Sequence, residues 1–182
     1  LGTFSAVSTL DALSRGPALL LAAERRVVVV GGGFGGATTA KYLRLMDPHL
    51  QVTLVEPKRN YFTCPFSNLV LGGLKQMGEL IHSYEKLQRK YGINVLHVAA
   101  SRIEGTSKKV VLQDGKSIHY DRLIVAPGVD MRFDLIENYQ PDDIVSMPHA
   151  WKGSVSTLRL HRQLETMPDG GTVLICPPAL PY

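Results

Sequence analysis

Arg25-Arg26-Val27-Val28-Val29-Val30-Gly31-Gly32-Gly33-Phe34-Gly35-Gly36 leads through a helical pattern to Gln51-Val52-Thr53-Leu54-Val55-Glu56. The first apolar run reads as a buried strand feeding a glycine turn, and the remainder as a helix over 35–46 and a second strand over 51–55. Gly31, Gly33 and Gly36 fit the dinucleotide-binding fingerprint, and Glu56 stands 20 residues beyond the third glycine, where a ribose-binding acid is expected. Gly31 permits the tight turn, Gly33 removes a side chain that would hold the pyrophosphate away, and Gly36 lets the helix approach the strand. The phosphates would then meet free N–H groups and the positive end of the helix dipole. Glu56 can accept both ribose hydroxyls but would repel a 2′-phosphate, which argues against a phosphorylated cofactor. Ala40 continues the small-residue spacing on the helix face turned to the strands. The bland alternative is a glycine-rich structural turn; the strand before, the helix after and the distal acid together favour the dinucleotide. The fingerprint does not decide between FAD and NAD.

The rest of the chain narrows the class. Its 182 residues approach the upper end of a single domain, and 45% hydrophobic with 20% charged residues is a globular composition. The formal charge of +4 comes from dispersed lysines and arginines. That argues against a nucleic-acid footprint and leaves an acidic protein partner compatible. Two cysteines, Cys64 and Cys176, are too few for a disulfide scaffold and lack the spacing of a zinc or haem motif. Six scattered histidines, His49, His82, His97, His119, His149 and His161, read as surface or hydrogen-bonded structural residues rather than metal ligands. Residues 1–24 break the pattern: their apolar end, Ala18 to Ala23, is far too short to cross a bilayer. They read as the tail of an export signal or as an extension packed beside the fold.

Beyond the second strand, residues 57–65 lack periodicity and are expected to form a loop of reactive-looking content. Gly72-Gly73 marks a break. Residues 77–90 read as one amphipathic helix with Leu80, Ile81, Tyr84 and Leu87 as its buried stripe. Gly92 closes it, and residues 93–99 form a third strand, parallel to the first two by the right-handed crossover rule. Short strands over 109–113 and 117–120 flank Asp114-Gly115-Lys116, and with Arg102-Ile103-Glu104 they suggest a small antiparallel meander. Leu123-Ile124-Val125 reads as a buried strand running into Ala126-Pro127-Gly128, where glycine permits close approach of a ligand. A helix over 151–164 and a strand over 172–175 complete the reading.

In this order the motifs resemble the flavoprotein subunit of flavocytochrome c sulfide dehydrogenase. The resemblance is carried by Arg26 to Leu43, Val52 to Pro57, Asn60-Tyr61-Phe62-Thr63-Cys64-Pro65-Phe66-Ser67-Asn68, Tyr120 to Gly128 and Pro148-His149-Ala150-Trp151-Lys152. It extends to relatives of the sulfide:quinone oxidoreductase kind with two dinucleotide domains, and implies an α/β fold: a Rossmann-like FAD-binding domain of the glutathione-reductase type with a small antiparallel β-meander inserted. The expected organisation is an extension or signal remnant over 1–24, the N-terminal part of the FAD-binding domain over 25–165, and the truncated start of a second dinucleotide-like domain over 166–182. The chain is thus expected to be part of a larger fold, whose C-terminal half would be a continuation or a separate chain.

Carried onto this sequence, the resemblance implies that Gly31, Gly33, Phe34, Gly35 and Gly36 surround the FAD pyrophosphate and that Glu56 holds the adenosine ribose. Pro57 and Lys58 would flank it, with Lys58 and Arg59 read either as charges for a phosphate or as solvated loop charges. Ala99 or Ala100 would contact the adenine, Ala126, Pro127 and Gly128 would pass near the FAD, and Trp151 would pack around the cofactor or between domains. Cys64 matches the cysteine that carries the flavin as a thioether; from the residues alone it reads as a buried thiol or half of a structural disulfide. The implied reaction is oxidation of sulfide to sulfur or polysulfide in the periplasm, through a redox disulfide that this chain does not clearly supply, since Cys176 falls several residues early. Electrons would pass to haem c held only by a partner, a c-type cytochrome subunit of a heterodimer. A sulfide:quinone or NADH-dependent oxidoreductase and a non-catalytic cofactor-binding module are the alternatives. No metal, nucleic acid or transmembrane segment is expected.

Overall fold

The computed structural model describes residues 25–149 and 151–175. The export-signal reading of residues 1–24 and the role of Cys176 lie outside the described residues.

A four-stranded parallel sheet forms the centre. It contains β1 (Arg26–Val30), β2 (Gln51–Val55), β5 (Asn94–Leu96) and β9 (Arg122–Val125), in the order β5-β2-β1-β9. The helix α1 (Phe34–Met46) connects β1 to β2 in register, Val27 opposite Val52 and Val30 opposite Val55. The run of valines is explained by burial on both faces of β1. Val27 and Val29 point to one side, into a cluster with Ala40 of α1, Leu54, Tyr84 and Ile93. Val28 points to the other, against Val55, Val110, Leu112 and Tyr120.

That second face is covered by an antiparallel meander of β6 (Ala100–Glu104), β7 (Lys109–Leu112) and β8 (Ser117–His119). Val110 and Leu112 are buried while Val111 is only partly so, hence the period of two that a sheet packed on one side requires. The meander therefore does the work that a second layer of helices would otherwise do. Arg26 and Asp121 tie the entrances of β1 and β9: the Arg26 backbone N–H donates to Asp121 Oδ2 at 2.8 Å, and these bonds hold the Asp121 carboxyl below its ordinary range.

Several elements depart from expectation. The single helix over 77–90 is a 3₁₀ turn (Met77–Leu80), then β4 (Ile81–Ser83), then the helix α3 (Glu85–Tyr91). The break has a tertiary cause. Residues 60–62, read as loop, form β3 (Asn60–Phe62), and Ile81–Ser83 pairs with it antiparallel, satisfying backbone groups that would otherwise propagate a helix. Leu80 and Tyr84 are buried as expected, whereas Ile81 is 36% exposed because it lies on the strand. Gly92 closes α3 with φ of 62°.

The helix α2 (Ser67–Leu71) ends at Gly72 and packs against α4 (Val155–Glu165). The latter starts later than the 151 expected because the Ser154 hydroxyl accepts the Ser156 N–H and so sets the N-cap. No strand forms over 172–175, where Val173, Leu174 and Ile175 are exposed, and no strand among the described residues pairs with them. Among the described residues no helix is long and apolar enough to cross a membrane, and no cluster of three or more His, Cys, Asp or Glu side chains is placed to hold a metal ion.

Candidate functional site

The site is built at the carboxyl ends of the parallel strands, where the turn after β1 meets the end of β2 and the exit of β9. Gly31 has φ of 99°, and a Cβ there would lie 2.1 Å from the Ala126 carbonyl oxygen. At Gly36 a Cβ would stand 1.7 Å from the Gly31 carbonyl, so α1 can approach β1 only with glycine in its first turn. Gly33 differs: it has φ of −68°, and a Cβ added to it meets nothing within 4 Å. The fold does not need glycine there. Open space beside the unpaired N–H groups of a helix start is what an anionic ligand needs.

Gly32, which the fingerprint passes over, is also constrained. A Cβ would come within 2.7 Å of both Glu56 Cγ and the Tyr84 hydroxyl. The Gly32 N–H donates to Glu56 Oε2 at 2.8 Å and its carbonyl accepts the Tyr84 hydroxyl at 3.0 Å. Glu56 Oε1 accepts the Lys58 N–H at 2.9 Å. Each carboxylate oxygen retains a second lone-pair direction for a ribose hydroxyl. His97, directly after β5, braces the same turn, its Nδ1 3.1 Å from the Lys58 carbonyl and 3.3 Å from that of Glu56. Pro57 and the Lys58 side chain are exposed.

Cys64 is exposed and its thiol donates to the Trp151 carbonyl at 2.5 Å. The Trp151 side chain is 71% exposed, and it is the backbone of this residue that meets Cys64. Gly153 lets this segment close on the loop, because a Cβ there would lie 2.7 Å from the Thr63 carbonyl. An ion pair between Lys152 and Asp130 joins it to the chain leaving Ala126-Pro127-Gly128, where Gly128 has φ of 75°. The Cys64 loop itself is strained. Cys64-Pro65-Phe66-Ser67 is a type II turn closed by the Ser67 N–H on the Cys64 carbonyl at 3.0 Å, and Phe66 holds the position that favours glycine, with φ of 72°.

A cavity of about 440 Å³ lies between the start of α1 and the Cys64 loop, lined by Phe34 of α1, by Thr63, Pro65 and Phe66 on either side of Cys64, and by Lys75, Glu79, Leu80 and His82. Between them stands Tyr61, edge-on to Phe34 with ring centroids 5.2 Å apart. Its hydroxyl is buried without a hydrogen-bond partner, and burial, reinforced by Cys64, pushes the phenol up to about 12. An orphaned donor costs about 1–3 kcal/mol, so its presence points to a ligand that satisfies it. His149 Nδ1 is the other such atom among the described residues; its ring lies 5.7 Å from that of Phe133, and burial followed by Lys152 lowers its pKa.

The residues singled out from sequence thus gather unequally. Gly31, Gly33, Phe34, Gly35, Gly36, Glu56, Ala126 and Pro127 converge on the turn, with Gly35 Cβ placed 3.8 Å from Ala126 Cβ. Ala99 and Ala100 are drawn into the meander: the Ala99 carbonyl accepts the Gln113 N–H at 2.9 Å and Ala100 pairs with Leu112. Gly32, Tyr61, Tyr84 and His97 were missed as site residues. The triple glycine was the available signal for the first; the others depend on pairing of β3 with β4 and on the position of β5.

The sequence profile of the pyridine nucleotide-disulphide oxidoreductases matches residues 25–158. The chain is 74% identical over 36 residues to the sulfide dehydrogenase [flavocytochrome c] flavoprotein chain of Chlorobaculum thiosulfatiphilum, which is 20% of this chain and 75% of that sequence. It is 34% identical over 100 residues to the sulfide-quinone reductase of Aquifex aeolicus, 54% of this chain and 23% of that protein. The solved structure of the sulfide:quinone oxidoreductase from Aquifex aeolicus is similar at a TM-score of 0.63 and 26% identity, covering 78% of this chain and 33% of that one. An NAD-dependent persulfide reductase from A. fulgidus shares the fold at a TM-score of 0.63 and 23% identity, over 77% of this chain and 27% of that one. The chain thus spans about a quarter to a third of the Aquifex aeolicus proteins and of the persulfide reductase.

Proposed function

The chain belongs to the pyridine nucleotide-disulphide oxidoreductase family, and on that premise we propose that it is the FAD-binding part of a flavoprotein that oxidises sulfide to sulfur or polysulfide in the periplasm and passes the electrons to a c-type cytochrome subunit. One observation carries the reading: Phe34, which starts α1 directly after the glycine turn, and Thr63, Pro65 and Phe66 of the Cys64 loop line a single cavity. The match to the sulfide dehydrogenase flavoprotein chain supports the choice of reaction.

The residues present fit FAD. The Gly33 position leaves room for a pyrophosphate, Glu56 offers lone pairs to the ribose, and Tyr61 holds a buried donor with no protein partner. FAD supplies the exchange between a two-electron donor such as sulfide and one-electron acceptance by a haem. The protein's part is to bind and orient it. The N–H groups at the start of α1 and the helix dipole hold the phosphates. Cys64 would be the residue to hold the flavin as a thioether, and the Trp151 carbonyl, which accepts the thiol hydrogen bond, fixes where its sulfur stands. The Ala126-Pro127-Gly128 backbone lines the same end of the sheet. Tyr61, with its pKa pushed up to about 12, stays a proton-bearing donor throughout the physiological range.

A second acceptor has support of its own in the 34% identity to a sulfide-quinone reductase. The full-length protein purified with its partners separates the two. Sulfide-dependent bleaching of flavin absorbance followed by cytochrome c reduction is the expected result, and rapid reduction of a soluble quinone without cytochrome reduction establishes the alternative. A flavin that sulfide does not bleach refutes both.

A further inference from the structure

We propose that Tyr84 is a positioning residue of the phosphate cradle, its hydroxyl fixing the Gly32–Gly33 peptide so that the Gly33 N–H faces the cofactor's pyrophosphate. The inference rests on the reading of this turn as the FAD site.

A run of glycines is free to rotate its peptides, and a cradle made of one needs something that stops it. Here the peptides are pinned one after another. The Gly31 N–H donates to the Val55 carbonyl at 2.9 Å and the Gly32 N–H donates to Glu56 at 2.8 Å. Both partners belong to β2 and its end. The next peptide is held from outside the β1-α1-β2 unit, by the Tyr84 hydroxyl on the Gly32 carbonyl at 3.0 Å. In a trans peptide the C=O of one residue and the N–H of the next point in opposite directions. With the Gly32 carbonyl directed at Tyr84, the Gly33 N–H is directed away from it, and it finds no acceptor among the described residues. A Cβ on Gly33 likewise meets nothing within 4 Å.

Flipping this peptide would exchange the donor for a carbonyl oxygen and turn attraction for a phosphate into repulsion. Tyr84 opposes the flip with a rigid group, since it is 5% exposed and packed among Val27, Val29, Leu54 and Ile93. It remains a donor because burial, and then the charge of Glu56, raise its pKa above the ordinary tyrosine value. Its placement depends on the β3–β4 pair: Tyr84 directly follows Ser83, which pairs with Asn60 four residues before Cys64. One ribbon thereby sets both the peptide that meets the phosphates and the loop that carries the thiol.

Tyr84→Phe removes one oxygen and keeps the ring. The test is made in the full-length protein on a Cys64→Ala background, so that FAD binding is reversible, and binding is followed by flavin fluorescence. We expect FAD to bind about 10-fold more weakly, equivalent to about 1.4 kcal/mol. The ³¹P resonances of the bound pyrophosphate should shift, a change that loss of core packing would not produce. Unchanged affinity together with unchanged ³¹P resonances overturns the role of Tyr84 and leaves the FAD reading intact. Failure of the Cys64→Ala protein and of the wild type to bind FAD overturns both. If Tyr84→Phe does not fold, the Gly33 amide proton of the parent protein decides: a downfield shift on adding FAD supports the proposal, and an unmoved resonance overturns it.

Discussion

Replacing Gly31, Gly33 and Gly36 one at a time by alanine should separate folding from binding. At Gly31 the new Cβ stands 2.1 Å from a backbone oxygen and the residue has φ of 99°; at Gly36 it stands 1.7 Å from a backbone oxygen. Neither oxygen can move without shifting a strand or the turn. Overpacking of this kind costs about 1–3 kcal/mol, with a further 1–2 kcal/mol for left-handed backbone at Gly31. In a chain of this size that corresponds to a fall in Tm of roughly 4–20 °C for Gly31→Ala and roughly 2–12 °C for Gly36→Ala. Gly33→Ala has an open Cβ direction and φ of −68°, so the apo fold should be unchanged or more stable by about 0.4–1 kcal/mol through the unfolded chain. The same methyl would stand where the pyrophosphate approaches and displace about two hydrogen bonds to a charged group, each worth roughly 1.5–3 kcal/mol. FAD affinity should therefore fall at least about 100-fold. Thermal unfolding of the apoproteins and FAD titration of each variant on the Cys64→Ala background provide the readings. A Gly33→Ala protein that binds FAD like the wild type, or a Gly31→Ala protein that melts with it, refutes the reasoning.

Glu56→Gln replaces an acceptor with a donor that opposes either the Gly32 or the Lys58 N–H; FAD titration should show a loss of about 1.5–3 kcal/mol. Because burial opposes the Tyr61 phenolate, stability is independent of its titration below pH 10 and falls as pH rises from its unfolded value of 10.0 through its folded value of about 12. Absorbance titration of the apoprotein should show a late phenolate transition that Tyr61→Phe removes, and a Tyr61→Phe curve identical to the parent's would contradict its burial. Phe66→Asn should leave stability unchanged or raise it by up to about 1 kcal/mol, because asparagine tolerates left-handed backbone, whereas Phe66→Val should lower it by about 1–2 kcal/mol. Urea midpoints that rank the two the other way would show that the turn is not strained.

What was legible in the sequence is local or periodic. Val27 to Val30, the glycines and Glu56 fixed β1, α1 and β2 because each of those elements signals itself within a few residues, and the Asp114-Gly115-Lys116 turn did the same for the meander. Residues 77–90 misled because Leu80, Tyr84 and Leu87 keep helical spacing although Ile81–Ser83 is a strand. Its partner, Asn60–Phe62, lies some 20 residues earlier and gives no sign of the pairing. The same long-range pairing hid Tyr84 as a contact of the glycine turn: its buried ring was foreseen, its hydroxyl's target was not. What reaches Cys64 from Trp151 is its carbonyl, a backbone contact that residue type cannot signal. The strain at Phe66 is equally silent, since nothing in Cys64-Pro65-Phe66-Ser67 requires a left-handed third residue.

The most direct test of the central claim is peptide mass mapping of the full-length protein after acid denaturation and proteolysis. A flavin found on the peptide that contains Cys64 is the result expected if the glycine turn holds FAD with its ring reaching that loop. An unmodified Cys64 peptide from protein that carries no FAD, bound or released, would contradict it.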